Sequence, residues 1–338
     1  MVAAACGLAA LAACSDALEQ TTSAGQVVVD VSAVSATLTL VRVDNHTVTT
    51  LPVPPAGSTP ASAAARGGLL VVPGGDSATL AVFDFSTGGS PAVMQWRLPA
   101  GSAGGVALES DSIAWVTNPG RNRVTRINVR RGDTVSTAVG VSPVAVAVAG
   151  SHVYVVDANL LNGAPAGPSW ITVLDVAPLP PHVTDSIALS GTNARSITVG
   201  ADGSLYVVDA GTQGRGDGKL SIVDTLHLVE EVVMNGLGES PGPAVYHPSG
   251  RLLIASPSGV LDVNTSTRML THGAVVDPGG TGVAVLALDQ AGRLYAYDRR
   301  ACTEPSQLHV LSAPPDYDQL DVTPAGVCPL AATTIVVP

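Results

Sequence analysis

The sequence predicts an all-β chain closed into a ring, a seven-bladed β-propeller with four antiparallel strands per blade, and three observations lead there. Residues 113–157 break into short apolar strands at 113–118, 124–129, 134–139 and 144–149, each bounded by Gly, Pro, Asn or charged turn residues. Four strands at that spacing are what one blade requires. A second observation is a repeat of two or three apolar residues followed by Asp or Asn. It ends at Asp44, Asp84, Asn128, Asp175, Asp224, Asp262 and Asp298, with steps between 36 residues (Asp262 to Asp298) and 49 (Asp175 to Asp224). A register kept over seven units is the mark of a repeat architecture. The third is composition: 46% hydrophobic and only 13% charged residues, with 36 Gly, 25 Pro and 3% aromatics. Many short buried strands joined by tight turns and packed closely through Ala and Val have this profile.

At 338 residues the chain exceeds the usual size of one compact core, yet a radial repeat escapes that limit because each unit buries its faces against its neighbours. The net charge of -11, with Lys219 as the only lysine, leaves no basic stripe for a phosphate backbone and disfavours nucleic acid. Past the N-terminus no apolar run reaches the roughly 18 residues of a membrane helix.

In chain order, residues 2–13 are small and apolar and end in Leu11-Ala12-Ala13-Cys14. They resemble a bacterial lipobox, although no Lys or Arg precedes the run. The expectation is a signal peptide over 1–13, a lipidated Cys14, a flexible tether over 14–26 and a single propeller domain over 27–338. Such a protein is exported and held at the cell envelope, periplasmic or on the surface, through lipid worth roughly 0.8 kcal/mol per buried CH2. In an oxidising compartment the two remaining thiols, Cys302 and Cys328, are expected to pair and to join the sixth blade to the closing one.

At the ends, 37–43 and 47–53 read as outer strands, and 320–323 with 333–337 as the inner strands that complete the same blade. Residues 27–31 are an alternative inner strand. Shared strands of this kind lock a ring. Residues 240–315 fit the repeat least well, so six or eight blades stay open. The recurrent Asp or Asn is read as a turn cap, its side-chain oxygen accepting backbone N–H groups.

Trp115-Val116-Thr117-Asn118 and Val153-Tyr154-Val155-Val156-Asp157 resemble the namesake motif of the YVTN-type seven-bladed β-propellers of bacterial surface and periplasmic proteins. The resemblance covers residues 36–338. It implies the fold strongly and function weakly, because its motifs specify packing and turns.

No metalloprotease, nucleophile-elbow or EF-hand pattern occurs, and the glycine-rich residues 211–220 lack the spacing of a phosphate loop. A functional face is expected where long loops meet on a rigid scaffold. Those after the second strands, 157–169 and 209–218, share a rim with the link 190–195, which brings together Asp157, Asn159, Asn193, Arg195, Asp209 and Asp217, with Trp170 at a loop base. Asp157 and Asp209 are also weak Ca2+ candidates through their oxygens; no other cofactor is indicated. The expected role is a non-catalytic binding or scaffold module for a protein, a glycan or a small ligand. A lactonase- or lyase-like enzyme with a site at the channel mouth is the alternative, and single-stranded DNA binding a remoter one.

Overall fold

The computed structural model describes residues 25–338 other than 88, 100 and 178. Cys14, its lipobox and residues 14–24 of the expected tether lie outside the described residues. Gln26, the last tether position, is buried and opens a strand.

The described chain forms seven four-stranded antiparallel sheets. Blades 1 to 6 span residues 64–97, 106–138, 143–188, 194–235, 244–276 and 283–327. The closing blade takes Gln26–Ser32, Thr37–Arg42 and Val48–Pro52 from the start of the chain and Pro329–Val336 from its end. Gln26–Ser32 pairs with Pro329–Val336 from Gln26 opposite Val336 onward, so the ends complete one sheet and leave no open edge. The alternative inner strand is therefore the one used. Residues 320–323 fall in Gln319–Val327, the outermost strand of blade 6, and the expectation that they belong to the closing blade is corrected. Residues 113–149 likewise span two blades, because Pro143–Ala149 is the first strand of blade 3 and Val106–Leu108 is that of blade 2.

Burial explains why the strands read as they do. Second strands such as Leu69–Pro73, Leu205–Asp209 and Leu294–Asp298 are buried at every residue. A neighbouring blade covers each face, so their sequences are continuous apolar runs instead of alternating ones. Outermost strands such as Ala92–Arg97 and Val183–Ala188 are mostly exposed, and the exposed polar residues among them, Gln95 and Arg97 in one and Thr184, Asp185 and Ser186 in the other, help to keep the outer edges from pairing.

Three residues before the end of four second strands stand the fully buried aromatics Trp115, Tyr154, Tyr206 and Tyr295, which fill the widening space between blades. Three of them carry their polar end to an acid in the turn before the strand. Trp115 Nε1 donates to Glu109 Oε2 at 2.8 Å, Tyr206 Oη to Asp202 Oδ2 at 2.7 Å and Tyr295 Oη to Asp289 Oδ2 at 3.2 Å. A buried polar group is satisfied each time, which avoids a desolvation cost of about 1–3 kcal/mol.

The recurrent Asp or Asn closes third strands in blades 1 to 4 and follows the third strand of the closing blade at Asp44. There it caps turns: Asn128 Oδ1 accepts from the N–H groups of Arg130 and Arg131, and Asp224 Oδ1 from those of Leu226 and His227. In blades 5 and 6 the sequence repeat slips. Asp262 lies inside Gly259–Asn264, whose capping residue is Asn264. Asp298 ends a second strand instead of a third.

Candidate functional site

An antiparallel blade places its second-to-third-strand loop and the link to the next blade on one rim, here called the upper. Second strands end there at Ser32, Pro73, Asn118, Asp157, Asp209, Ser256 and Asp298, all buried.

Asp157 and Asp209 therefore do not reach the mouth. Thr172 Oγ1 donates to Asp157 Oδ2 at 2.5 Å, and Ser221 Oγ to Asp209 Oδ2 at 3.0 Å. The link preceding each blade lays a glycine over the carboxylate: a Cβ on Gly140 would lie 2.6 Å from Asp157 Cγ, and one on Gly191 would collide with the carboxylate of Asp209. Burial pushes both carboxyls up to about 7, against the opposing pull of the hydroxyls. Both residues act as interior supports for the links.

Most other expected rim residues shape loops. Asn159 takes a left-handed backbone at φ 52° and donates from Nδ2 to the Pro168 carbonyl at 2.9 Å, closing a loop that contains the paired strands Leu160–Leu161 and Ala164–Pro165. Asn193, at φ 55°, donates to the Gly211 carbonyl at 3.1 Å, and Asp217 Oδ1 accepts from Thr212 N at 2.7 Å. Trp170 is half-buried, its indole nitrogen beneath Gly140. Asp157 and Asp209 belong to different blades, and among the described residues no three His, Cys, Asp or Glu side chains gather as a metal group.

Arg195 alone of the seven expected residues lines the central cavity, a space of about 540 Å³ bounded by the innermost strands of six blades and by residues 61–63, which lead into the innermost strand of blade 1. Its position comes from a β-bulge. In Ala194–Val199, Ala194 pairs with Asp209 and Ser196 with Val208, so Arg195 is the extra residue. The first strands of blades 3 and 6 bulge at the same place, leaving Val144 and Ala284 as their extra residues. A bulge re-aims a side chain, and in blade 4 the re-aimed side chain is a guanidinium.

Sequence reasoning missed the other half of this mouth. Asp298-Arg299-Arg300 begins the second-to-third-strand loop of blade 6, and all three line the same cavity. Arg300 Nε binds Asp298 Oδ2 at 2.7 Å. Asp298 Oδ1 also accepts from Gln307 N at 2.7 Å, and Arg299 N donates to the Gly282 carbonyl at 2.9 Å. Cys302 in this loop is disulfide-bonded to Cys328, in the link to the closing blade, with Cα atoms 4.6 Å apart. The loop is thus anchored at several points. Desolvation in the channel and then the charge of Arg299 hold Arg195 below the ordinary arginine value, so the two guanidiniums are near enough to repel. Arg299 stands 104 residues beyond Arg195 in sequence. The available signal was a charged triplet in a chain poor in charge.

No protein-family model and no curated protein matches this sequence. Solved structures do resemble the fold. A functionally unknown protein from Desulfotomaculum acetoxidans DSM 771 superposes with a TM-score of 0.69 at 13% identity, covering 92% of this chain and 99% of that one. Kuenenia stuttgartiensis hydrazine synthase gives 0.64 at 14% identity over 80% and 88%, and a streptogramin B lyase gives 0.61 at 11% over 81% and 91%. At such identities the likeness is one of fold: an all-β, seven-bladed propeller, shared by proteins of different activity.

Proposed function

We propose that this protein is a non-catalytic binding module that presents the upper mouth of its channel to a small ligand, held at the cell envelope by lipid on Cys14. The observation that carries the reading is the division of labour on the upper rim. Its other carboxylates and amides are spent on supporting links and loops, whereas the charged groups that line the cavity are three guanidiniums and the buried Asp298 that pairs with one of them, among small apolar side chains. Such a mouth can hold a ligand through charge and apolar contact, and the volume suits a small molecule.

The ends of the chain support the presentation. The described chain enters at Gly25, before a second strand that runs from the lower rim to the upper, and Val337 N bonds the Gly25 carbonyl beside it. A tether to Cys14 would leave from the lower rim and turn the arginine mouth away from the membrane.

The test pairs fractionation with ligand capture. Cys14→Ala should release the protein from membranes, and unchanged association would end the lipid-anchor reading. Purified protein should gain thermal stability with members of a small-molecule panel, and Ala284→Trp, which fills the channel, should abolish the gain. Mass spectrometry should recover the ligand unchanged; a converted product would establish the enzyme reading instead.

A further inference from the structure

Resting on that binding role, we infer that the channel mouth takes an amphiphilic anion, a small molecule whose phosphate or carboxylate head sits between Arg195 and Arg299 and whose apolar body descends between the blades.

The electrostatic setting is unusual for this chain. The protein carries a net charge of -11, yet the charged residues lining the cavity are three arginines and one aspartate. Arg300 is satisfied by Asp298, which is buried and also receives the Gln307 N–H. Among the described residues neither Arg195 nor Arg299 has a carboxylate within ion-pairing distance. Several other arginines on this acidic surface do find carboxylates, as Arg42 does with Asp44 and Arg268 with Glu231. Among the described residues Arg97, Arg121 and Arg215 do not, but they stand exposed outside the cavity, where water solvates them. Two like charges held near each other on fixed backbone are uncomfortable without an anion, and a bound oxyanion would relieve both through charge-assisted hydrogen bonds.

The backbone that carries each guanidinium is held in position. Arg195 projects from a bulge whose neighbours remain paired, and Arg299 is flanked by the Asp298 hydrogen bonds and by the Cys302–Cys328 bridge. This favours binding because only the side chains, and not the backbone, must be ordered when the ligand arrives. Level with Arg195 the walls carry Val144 and Ala284, and deeper in they carry Ile197, Ala244 and Ala331. These offer an apolar sleeve and no further charge, which selects a ligand with one charged end.

The probes are hexyl phosphate, inorganic phosphate and 1-hexanol, titrated calorimetrically into the oxidised protein at low ionic strength. Hexyl phosphate should bind most tightly, inorganic phosphate more weakly and in competition with it, and hexanol least. Arg195→Gln and Arg299→Gln should each weaken hexyl phosphate by roughly tenfold or more. Arg97→Gln, on an outer strand, should leave binding unchanged. Since each mouth variant removes a repulsion, neither should lower the melting temperature of the free protein, which separates a lost site from a lost fold.

Equal binding of hexyl phosphate and hexanol, insensitive to both arginine variants but blocked by Ala284→Trp, would overturn the anion and leave the channel as a binding site. Equal affinity for inorganic and hexyl phosphate would overturn the apolar sleeve. No binding of any probe would overturn the inference; if the wider panel also gives no signal that Ala284→Trp removes, the binding role falls with it.

Discussion

The two rims of the ring end strands with the same short acidic side chains and shift their titration in opposite directions. On the lower rim, where third strands end, Asp84 lies beside Arg130, which with the Ser86 contacts lowers its carboxyl to about 2; His227 and the turn N–H groups lower Asp224. On the upper rim, burial raises Asp157 and Asp209 to about 7. Asp30, inside a second strand of the closing blade, is raised likewise. Each of these strand ends carries a short oxygen acceptor, met by turn N–H groups on the lower rim and by the hydroxyls of Thr172 and Ser221 at Asp157 and Asp209 on the upper. What differs is cover: lower turns are open to water, while upper ends lie beneath a link crossing from the preceding blade. Blade 2 uses Asn118 at the covered position, with Ser102 N donating to its Oδ1 at 3.1 Å, so the position needs an acceptor and not a charge.

The largest effect should come from the cover itself. Gly191→Ala would drive a methyl group into the Asp209 carboxylate and should cost about 3 kcal/mol in denaturant unfolding, whereas alanine at the lower-rim Gly150, whose Cβ meets nothing within 4 Å, should cost only about 1 kcal/mol for its left-handed backbone. Equal losses would erase the distinction between the rims.

The disulfide staples only the upper rim. Cys302→Ser, which opens a link between residues 26 apart in sequence, should lower stability by about 3 kcal/mol under oxidising conditions. Identical melting with and without reductant would remove the bridge.

Titration sharpens the comparison further. The folded-state pKa of Asp157 and Asp209 lies above the ordinary 3.8, so the stability they contribute is complete below 3.8 and is lost as pH rises through about 7. For Asp84 the folded value is depressed, so its contribution exists above 3.8 and is lost as pH falls through about 2. Unfolding free energy should therefore decline between about pH 4 and 7, with at most about 1.4 kcal/mol per pH unit from each buried carboxyl. Asp157→Asn with Asp209→Asn should make that decline shallower, imitating Asn118 and leaving the share of Asp30; an unaltered slope would show that these groups are ionised in the fold.

The smallest effect belongs to a single lower-rim cap. Asn128→Ala removes the acceptor of two turn N–H groups and should cost about 1 kcal/mol by thermal unfolding, because water replaces the lost partner. A loss as large as that of Gly191→Ala would contradict the open setting.

The third-strand caps of blades 1 to 4 were legible because an apolar run ending in Asp or Asn is local and repeats. The slip in blade 5 came from Val260-Leu261-Asp262-Val263-Asn264, which offers two acceptors two residues apart. Asp262 is taken by Arg251 and Tyr317 at 2.6 Å each, a choice made by packing. Asp157 and Asp209 were correctly placed at strand ends, but no local pattern shows that Gly140 and Gly191 lie over them. Arg195 was legible as a rim residue; its turn into the channel depends on a register shift against Val208, and its companion Arg299 comes from another blade.

The sequence by itself determined the class of fold, most of the strands and most of the turns, because these follow from apolar runs, turn chemistry and composition within short windows. Which strands close the ring, which carboxylates lose their water and which arginines share a mouth were decided only in three dimensions. Hydrogen-bond register, desolvation and charge–charge distance depend on neighbours that the chain supplies from remote blades.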